Sequence, residues 1–357
     1  MPCNKIREQT AILKELAHRI LVLDGAMGTM IMRQNLSEAD YRGKRFVNSA
    51  VNLKGCHDIL SLTRPDVVRE IHSSYLEAGA DIISTNSFNS NVYSLKYYGL
   101  EDFAYEISRQ SAHLARSETD AFNSKQSNSK PRFVAGTIGP TRKAISKLVD
   151  VKNTGTKTKS ITFNELVDAY TPQVEGLLDG GCDIILIETI FDTLNANAAI
   201  CAAESVFERR QTRYPIMISI TISHNSSHTL TCQKLEAFVN SFSYASPLSL
   251  GLNCVFGSEW LLTNIKRLAN LTSAFVSCHP NAGLPNALGE YDVSPEAFTA
   301  TIEKLMKLGL VNIVGGCCGT TPDHIRALAA AAKANNHSIR LCDSTASLAP
   351  CQPKNPI

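Results

Sequence analysis

The chain has 357 residues, is 44% hydrophobic, and carries a formal net charge of +2 from 35 basic and 33 acidic side chains. Balanced charge and an aromatic content of 7% argue against the basic face and stacking surface of a nucleic-acid binder. No apolar run approaches the roughly 20 residues of a spanning helix, and residues 1–19 carry charges without an apolar signal core. A cytoplasmic protein with no membrane partner is therefore expected.

A lead-in helix is expected over residues 1–18. From there short apolar, β-branched runs alternate with longer segments of helical period. Ile20–Leu23 is the first strand. Arg64–Ala78 is helical, with Pro65 in its first turn and Gly79 just past its end, as capping preferences require. The strand Asp81–Ser84 precedes the helix Ala104–Ser117, and Phe133–Thr137 precedes Asn164–Asp179. Asp183–Ile187 leads to Asn195–Arg210, Ile216–Thr221 to Lys234–Tyr244, and Leu248–Leu252 to Glu259–Ala269. Ala274–Ser277 leads to Pro295–Leu308, and Val311–Val314 to Pro322–Ala332.

Eight strand–helix pairs with strands apolar on both faces predict an α/β fold, a (β/α)8 TIM barrel forming a single domain over residues 19–335. The structural rival, an open doubly wound sheet, lacks support because the first strand–helix turn, Asp24-Gly25-Ala26-Met27-Gly28, is no dinucleotide fingerprint. The polar stretches Asn123–Arg132 and Arg142–Ser160 read as surface loops. The tail over 336–357, with Pro350, Pro353 and Pro356, is expected to be poorly ordered.

In such barrels the working face lies at the C-terminal ends of the strands. Polar and small residues collect there: Asp24 to Gly28, Thr85-Asn86-Ser87-Phe88, Gly139-Pro140, Glu188-Thr189, Asn253-Cys254, Pro280-Asn281-Ala282-Gly283 and Gly315-Gly316-Cys317-Cys318-Gly319. The 11 cysteines read as reduced thiols, most of them small buried apolar residues. Three differ. Neighbouring strand side chains point to opposite faces, but the glycines around Cys317-Cys318 let the backbone leave strand geometry. Both sulfurs can then face one point, and barrel closure brings Cys254 near it. Three thiolates suit one Zn2+, and three protein ligands leave a position open for chemistry. Cys278, beside His279, is the alternative ligand. A Cys3 zinc is a poor Lewis acid for hydrolysis. It suits activation of a substrate thiol, whose pKa near 8.5 otherwise keeps it protonated.

The runs RILVLDGAMGTM, GADIISTNSF, IETIFDTLNA, GLNC, PNAGLPNA and VNIVGGCCGTTPDHI resemble the homocysteine-binding module of cobalamin-dependent methionine synthase, within the homocysteine S-methyltransferase superfamily. The resemblance covers roughly residues 15 to 335. It implies a zinc-dependent methyltransferase that converts homocysteine to methionine, with Cys254, Cys317 and Cys318 as metal ligands. It also implies that Asp24 and Glu188 face the homocysteine ammonium and that the backbone amides of Gly25, Ala26 and Met27 hold its carboxylate. Asn86 joins the substrate-binding set, and Asn281 matches an asparagine that approaches the zinc when substrate is absent. From the residues alone, Asp24 also fits a helix N-cap and Glu188 a structural ion pair.

The chain departs from the family pattern at Ser84, Ile220, Cys56-His57, Arg142-Lys143 and Ser226–Lys234, which bears on docking of a methyl-donor domain. No cobalamin-binding Asp-x-His-x-x-Gly pattern occurs, so methylcobalamin is expected only as a donor presented by a partner domain or protein. The alternatives are a stand-alone homocysteine methyltransferase using S-methylmethionine or betaine, and a zinc- and homocysteine-binding fragment with little turnover.

Overall fold

The computed structural model describes residues 6–125, 130–141, 161–222, 234–286 and 289–340. The stretches 142–160 and 226–233 and the tail from 341 onward, on which loop and tail expectations were placed, lie outside the described residues.

Eight short strands form one sheet: β1 Leu21–Val22, β2 Ile82–Ser84, β3 Phe133–Ile138, β4 Ile184–Ile190, β5 Ile216–Ile220, β6 Ser249–Asn253, β7 Phe275–His279 and β8 Ile313–Val314. All seven ladders are parallel, in the order β1-β8-β7-β6-β5-β4-β3-β2. A parallel bridge between Leu23 and Ile82 joins the two ends, so the sheet closes as the expected (β/α)8 barrel.

Alternation along the strands sorts the core in two. Leu21, Leu23, Ile82, Ala135, Ile184, Leu186, Met217 and Ile313 form an inner cluster. Val22, Ile83, Val134, Ile185, Ile187, Ile218, Leu250, Leu252, Val276 and Val314 belong to the outer cluster under the helices. Residues two apart share a face, so each strand supplies both. The helix Ile6–Leu16 closes the N-terminal end by adding Ile12 and Leu16 to the inner cluster. Arg19 follows it and bonds Glu15 and Asp81 at 2.5 and 2.6 Å.

The helices form where capping and periodicity dictate. Pro65–Ala78 begins on Pro65 and ends at Gly79 with φ 103°. Phe163–Asp179 starts on a reciprocal Thr162–Glu165 capping box, and Pro295–Lys307 on Ser294, whose side chain accepts from Ala297 N. Two expectations need correction, and one stretch adds elements that no expectation covered. The helix from Ala104 continues to Ser124, so the polar stretch from Asn123 opens inside a helix. Asn336–Ser338 form a 3-10 turn, and Arg340 bonds the carbonyls of Ala274 and Ala269; the chain is thus anchored through 340. Between β1 and β2 lie short helices at Met27–Arg33, Glu38–Arg42 and Leu60–Thr63. They are too short to carry a periodic signal.

One buried group makes stability depend on pH. His72 is fully buried, and neither ring nitrogen has a hydrogen-bond partner among the described residues. Burial pulls its pKa down to about 4, with Glu118 opposing and Arg69 assisting. The unfolded chain therefore binds about one proton more than the folded one between roughly pH 6.5 and 4. This group's contribution is fully present above the unfolded pKa and is lost as pH falls through that window. We expect His72→Leu to remove on the order of 3 kcal/mol of the pH dependence of unfolding there. Denaturant titrations at several pH values test this; an unchanged slope would reject it.

Candidate metal centre

The alternation that packs the barrel interior continues at its C-terminal end with polar residues. Ser84, Glu188, Asn253 and His279 occupy inward positions on β2, β4, β6 and β7. Beyond them the rim loops surround a cavity of ≈ 460 Å³ whose lining includes Asp24, Glu188, His279, Cys254, Cys317 and Cys318.

The three cysteines expected together are together. Cys317 Sγ lies 3.5 Å from Cys254 Sγ, Cys254 Sγ 3.7 Å from Cys318 Sγ, and Cys317 Sγ 4.0 Å from Cys318 Sγ. Bonds of roughly 2.3 Å at tetrahedral angles require edges of about 3.8 Å, so this donor set fits one tetrahedral metal ion. Cys318 is pulled down to about 3 by hydrogen bonds from Cys254 and then Cys317, against burial. Cys317 is pushed up by its contacts with Cys254 and Cys318 and by burial. Burial and mutual repulsion oppose ionisation of all three thiols together, and a bound cation removes that opposition.

Backbone conformation makes the triangle possible. Cys254 has φ 57°, a left-handed geometry uncommon outside glycine. The bond from Asn281 N to Val255 O at 2.8 Å holds the chain that follows it. Cys317 and Cys318 are fixed by Cys317 N to Pro280 O and Ala282 N to Cys318 O. Gly319 has φ 82°, and a Cβ there would lie 2.2 Å from the Tyr291 ring, so a side chain is excluded twice over. Cys278 is placed otherwise. It lies one residue out of step with the inward positions and is fully buried in the outer cluster, away from the alternative ligand role.

Asp24 is 2% exposed. Its carboxylate accepts from Ser84 N at 2.8 Å and Ser84 Oγ at 2.7 Å. It is no helix cap; the N-cap of Met27–Arg33 is Ala26. Burial, opposed by the Ser84 bonds and assisted by the Glu188 charge, pushes Asp24 up to about 8. Glu188 Oε2 lies 3.3 Å from His279 Nε2. His279 itself is 2% exposed, and neither ring nitrogen has a hydrogen-bond partner among the described residues.

The amide expectation needs one correction. Ala26 N donates to Thr320 Oγ1 at 3.1 Å, so it is spent within the protein. Gly25 N and Met27 N have no protein acceptor among the described residues. Asn86 is also partly committed, its Nδ2 donating to His57 O at 2.8 Å and Ser61 Oγ at 3.2 Å. Only its Oδ1 remains for a ligand. Asn281 Oδ1 is buried without a hydrogen-bond partner among the described residues.

Several residues escaped the sequence reading. Tyr75 is fully buried, and its hydroxyl lies 3.2 Å from Ala26 O and 3.3 Å from Thr320 O, pinning the first loop to the last. His279 was noted only beside Cys278, although its parity puts it inside the barrel. His57 lines the cavity with Nδ1 2.9 Å from Tyr41 Oη.

Fold and site together define a barrel enzyme built around a cluster of three thiols. The family model for homocysteine S-methyltransferase matches residues 21–332; the chain belongs to this family and is a methyltransferase. Among solved structures it is similar to the homocysteine methyltransferase MmuM from Escherichia coli. The oxidized form is 24% identical with a TM-score of 0.66, the metallated form 24% with 0.65, and the apo form 25% with 0.62. Each match covers 92% of this chain, and 99%, 99% and 100% of the respective MmuM chains.

Asp24→Asn separates stability from binding. An amide can accept from Ser84 N and donate to Ser84 Oγ, but it cannot ionise. The folded pKa near 8 lies above the unfolded value, so the wild-type group's relative contribution is lost as pH rises through the folded pKa. We expect the variant to be more stable than wild type by on the order of 5 kcal/mol near pH 8.5, and by less near pH 4. We expect homocysteine to bind it at least about tenfold more weakly, one charge partner being gone. Thermal unfolding and calorimetry read both; undiminished affinity would remove Asp24 from the substrate site.

Proposed function

We propose that the chain transfers a methyl group to the sulfur of homocysteine, giving methionine, with one zinc ion held by Cys254, Cys317 and Cys318. The observation that carries this reading is the sulfur triangle, its edges of 3.5 to 4.0 Å matching a tetrahedral site, in one cavity with the carboxyl groups of Asp24 and Glu188. When bound, zinc with three thiolates keeps a substrate thiol deprotonated at neutral pH while leaving its sulfur electron-rich.

The protein's own groups do the remaining work. Asp24 and Glu188 take the substrate ammonium. A cation beside Asp24 reverses the penalty that keeps it protonated, so Asp24 loses its proton as substrate enters. The free amides of Gly25 and Met27 receive the carboxylate, and Asn86 Oδ1 accepts from the amino acid. With both ends held, the side-chain sulfur is directed toward the cysteines, and alignment with the methyl carbon comes from positioning. Met27, His57, Phe88 and Tyr291 line the rest of the cavity and keep water from the methyl path. We assign Asn281, with its unpartnered Oδ1, to guarding the centre when substrate is absent. A thiolate centre needs a reducing compartment, which the cytoplasm supplies.

For the donor, the sequence resemblance favours methylcobalamin presented by a partner domain or protein. The cavity supports a second reading. Its ≈ 460 Å³ lies within the range of about 300–1,000 Å³ for small-molecule sites, enough for homocysteine and a compact donor such as S-methylmethionine or betaine.

Metal analysis is expected to find one zinc per chain, and calorimetry zinc-dependent homocysteine binding with proton release. Cys317→Ser or Cys318→Ser is expected to lose the metal and that binding. A variant keeping stoichiometric zinc and full activity would sink the ligand assignment. A panel of methylcobalamin, S-methylmethionine and betaine then separates the donors; methylation by none of them identifies a homocysteine binder without turnover.

A further inference from the structure

Asn253 ends β6 immediately before Cys254 and is fully buried. Its side chain does not stay on its own strand. Oδ1 accepts from Ser219 Oγ on β5 at 2.8 Å and from Thr189 N beyond β5, on β4, at 3.0 Å. Nδ2 donates to Thr189 Oγ1 at 2.7 Å and lies 3.9 Å from Cys317 Sγ. One amide thus ties β6 to β5, to β4 and to the turn after β8.

The two residues it secures are strained. Thr189 follows Glu188 and has φ 58°; Cys254 follows Asn253 and has φ 57°. A β-branched residue in the left-handed region is an outlier, and such conformations persist only where surroundings over-determine them. The β4–β5 register also shifts between Ile187 and Ile190, so Glu188 and Thr189 lie in an irregularity of the kind that re-aims side chains near active sites.

From this geometry we propose that Asn253 is a positioning residue that locks the carboxylate-bearing end of β4 to the thiol-bearing end of β6 and directs an N–H at the Cys317 sulfur. The first part fixes the spacing between the Glu188 carboxylate and the Cys254 sulfur. These two groups must hold opposite ends of one substrate. The second part withdraws electron density from one thiolate of the centre. The inference rests on the metal-centre reading above.

Asn253→Asp isolates the N–H. The carboxylate still accepts from Ser219 Oγ and Thr189 N, and Thr189 Oγ1 can turn to donate, but nothing points a hydrogen at Cys317. Thr189→Gly isolates the clamp, because glycine tolerates the left-handed backbone and deletes the hydroxyl. With the full chain, zinc affinity is measured by competition with a chromophoric chelator, homocysteine affinity by calorimetry, and sulfur-to-metal charge transfer in the cobalt-substituted protein. Asn253→Asp is expected to weaken zinc binding at least tenfold and shift the charge-transfer band to lower energy. Thr189→Gly is expected to keep zinc affinity within twofold and weaken homocysteine at least fivefold. A folded Asn253→Asp protein with an unmoved band and zinc affinity within twofold of wild type overturns the inference. Should Asn253→Asp fail to fold, Thr189→Gly decides: homocysteine affinity within twofold of wild type overturns it. Wild-type protein that binds no zinc rejects the metal-centre reading instead, a separate result.

Discussion

The structure depends on one constraint: in a closed parallel ring, every second residue of every strand must face the same axis. Near the N-terminal end that axis is filled by Leu21, Ile82, Ala135, Ile184, Met217 and Ile313, with Ile12 and Leu16 closing it. Toward the other end the same positions carry Ser84, Glu188, Ser219, Asn253 and His279. Oil gives way to polar groups without any change of architecture. The apolar part holds the ring shut and so brings side chains from strands far apart in sequence to one rim.

Alternation alone cannot build the sulfur triangle, because adjacent cysteines on a regular strand would diverge. The chain therefore leaves strand geometry where chemistry is required: at Thr189, at Cys254, and through Gly319 after Cys318. Each non-glycine departure costs roughly 1–3 kcal/mol. That cost is offset locally. Asn253 bonds Thr189 on both its N–H and its hydroxyl, and the rim loops are laced by Gly316 N to Asp24 O, Cys317 N to Pro280 O and Ala282 N to Cys318 O. The strain lies at the face that binds, while regular strands carry the stability.

This division explains what could be read from the sequence. All eight strands were visible because β-branched runs buried on both faces leave an unbroken apolar signature. The cysteine cluster was visible because thiols framed by glycine at a strand end have few other uses. The helices between β1 and β2 were hidden by their brevity. Asn253 and His279 were hidden differently: each looks like an ordinary strand end until inward positions are counted. Ser249, Gly251 and Asn253 alternate inward, and Asn253 pairs with His279 across β6 and β7. The same count puts Cys278 outside, so its exclusion was available from the sequence. Which amides are spent was not. That Ala26 N is lost to Thr320 and Asn86 Nδ2 to His57 and Ser61 depends on contacts across the ring.

The electrostatics of the cavity then narrow its chemistry. Three carboxyl groups, of Asp24, Asp58 and Glu188, share one enclosure with three thiols, and no lysine or arginine among the described residues lines it. Such a site is frustrated alone, as the raised Asp24 pKa shows. On the proposed reading it is relieved by positive charge of two kinds, a soft metal on the sulfurs and an ammonium on the carboxylates. An amino acid with a thiol side chain joins the two, because its ammonium and its sulfur lie at opposite ends of one short chain. A substrate lacking either end would leave one group of anions uncompensated. The proposed selectivity for an aminothiol would then follow from charge balance within the cavity, before any fit of shape is considered.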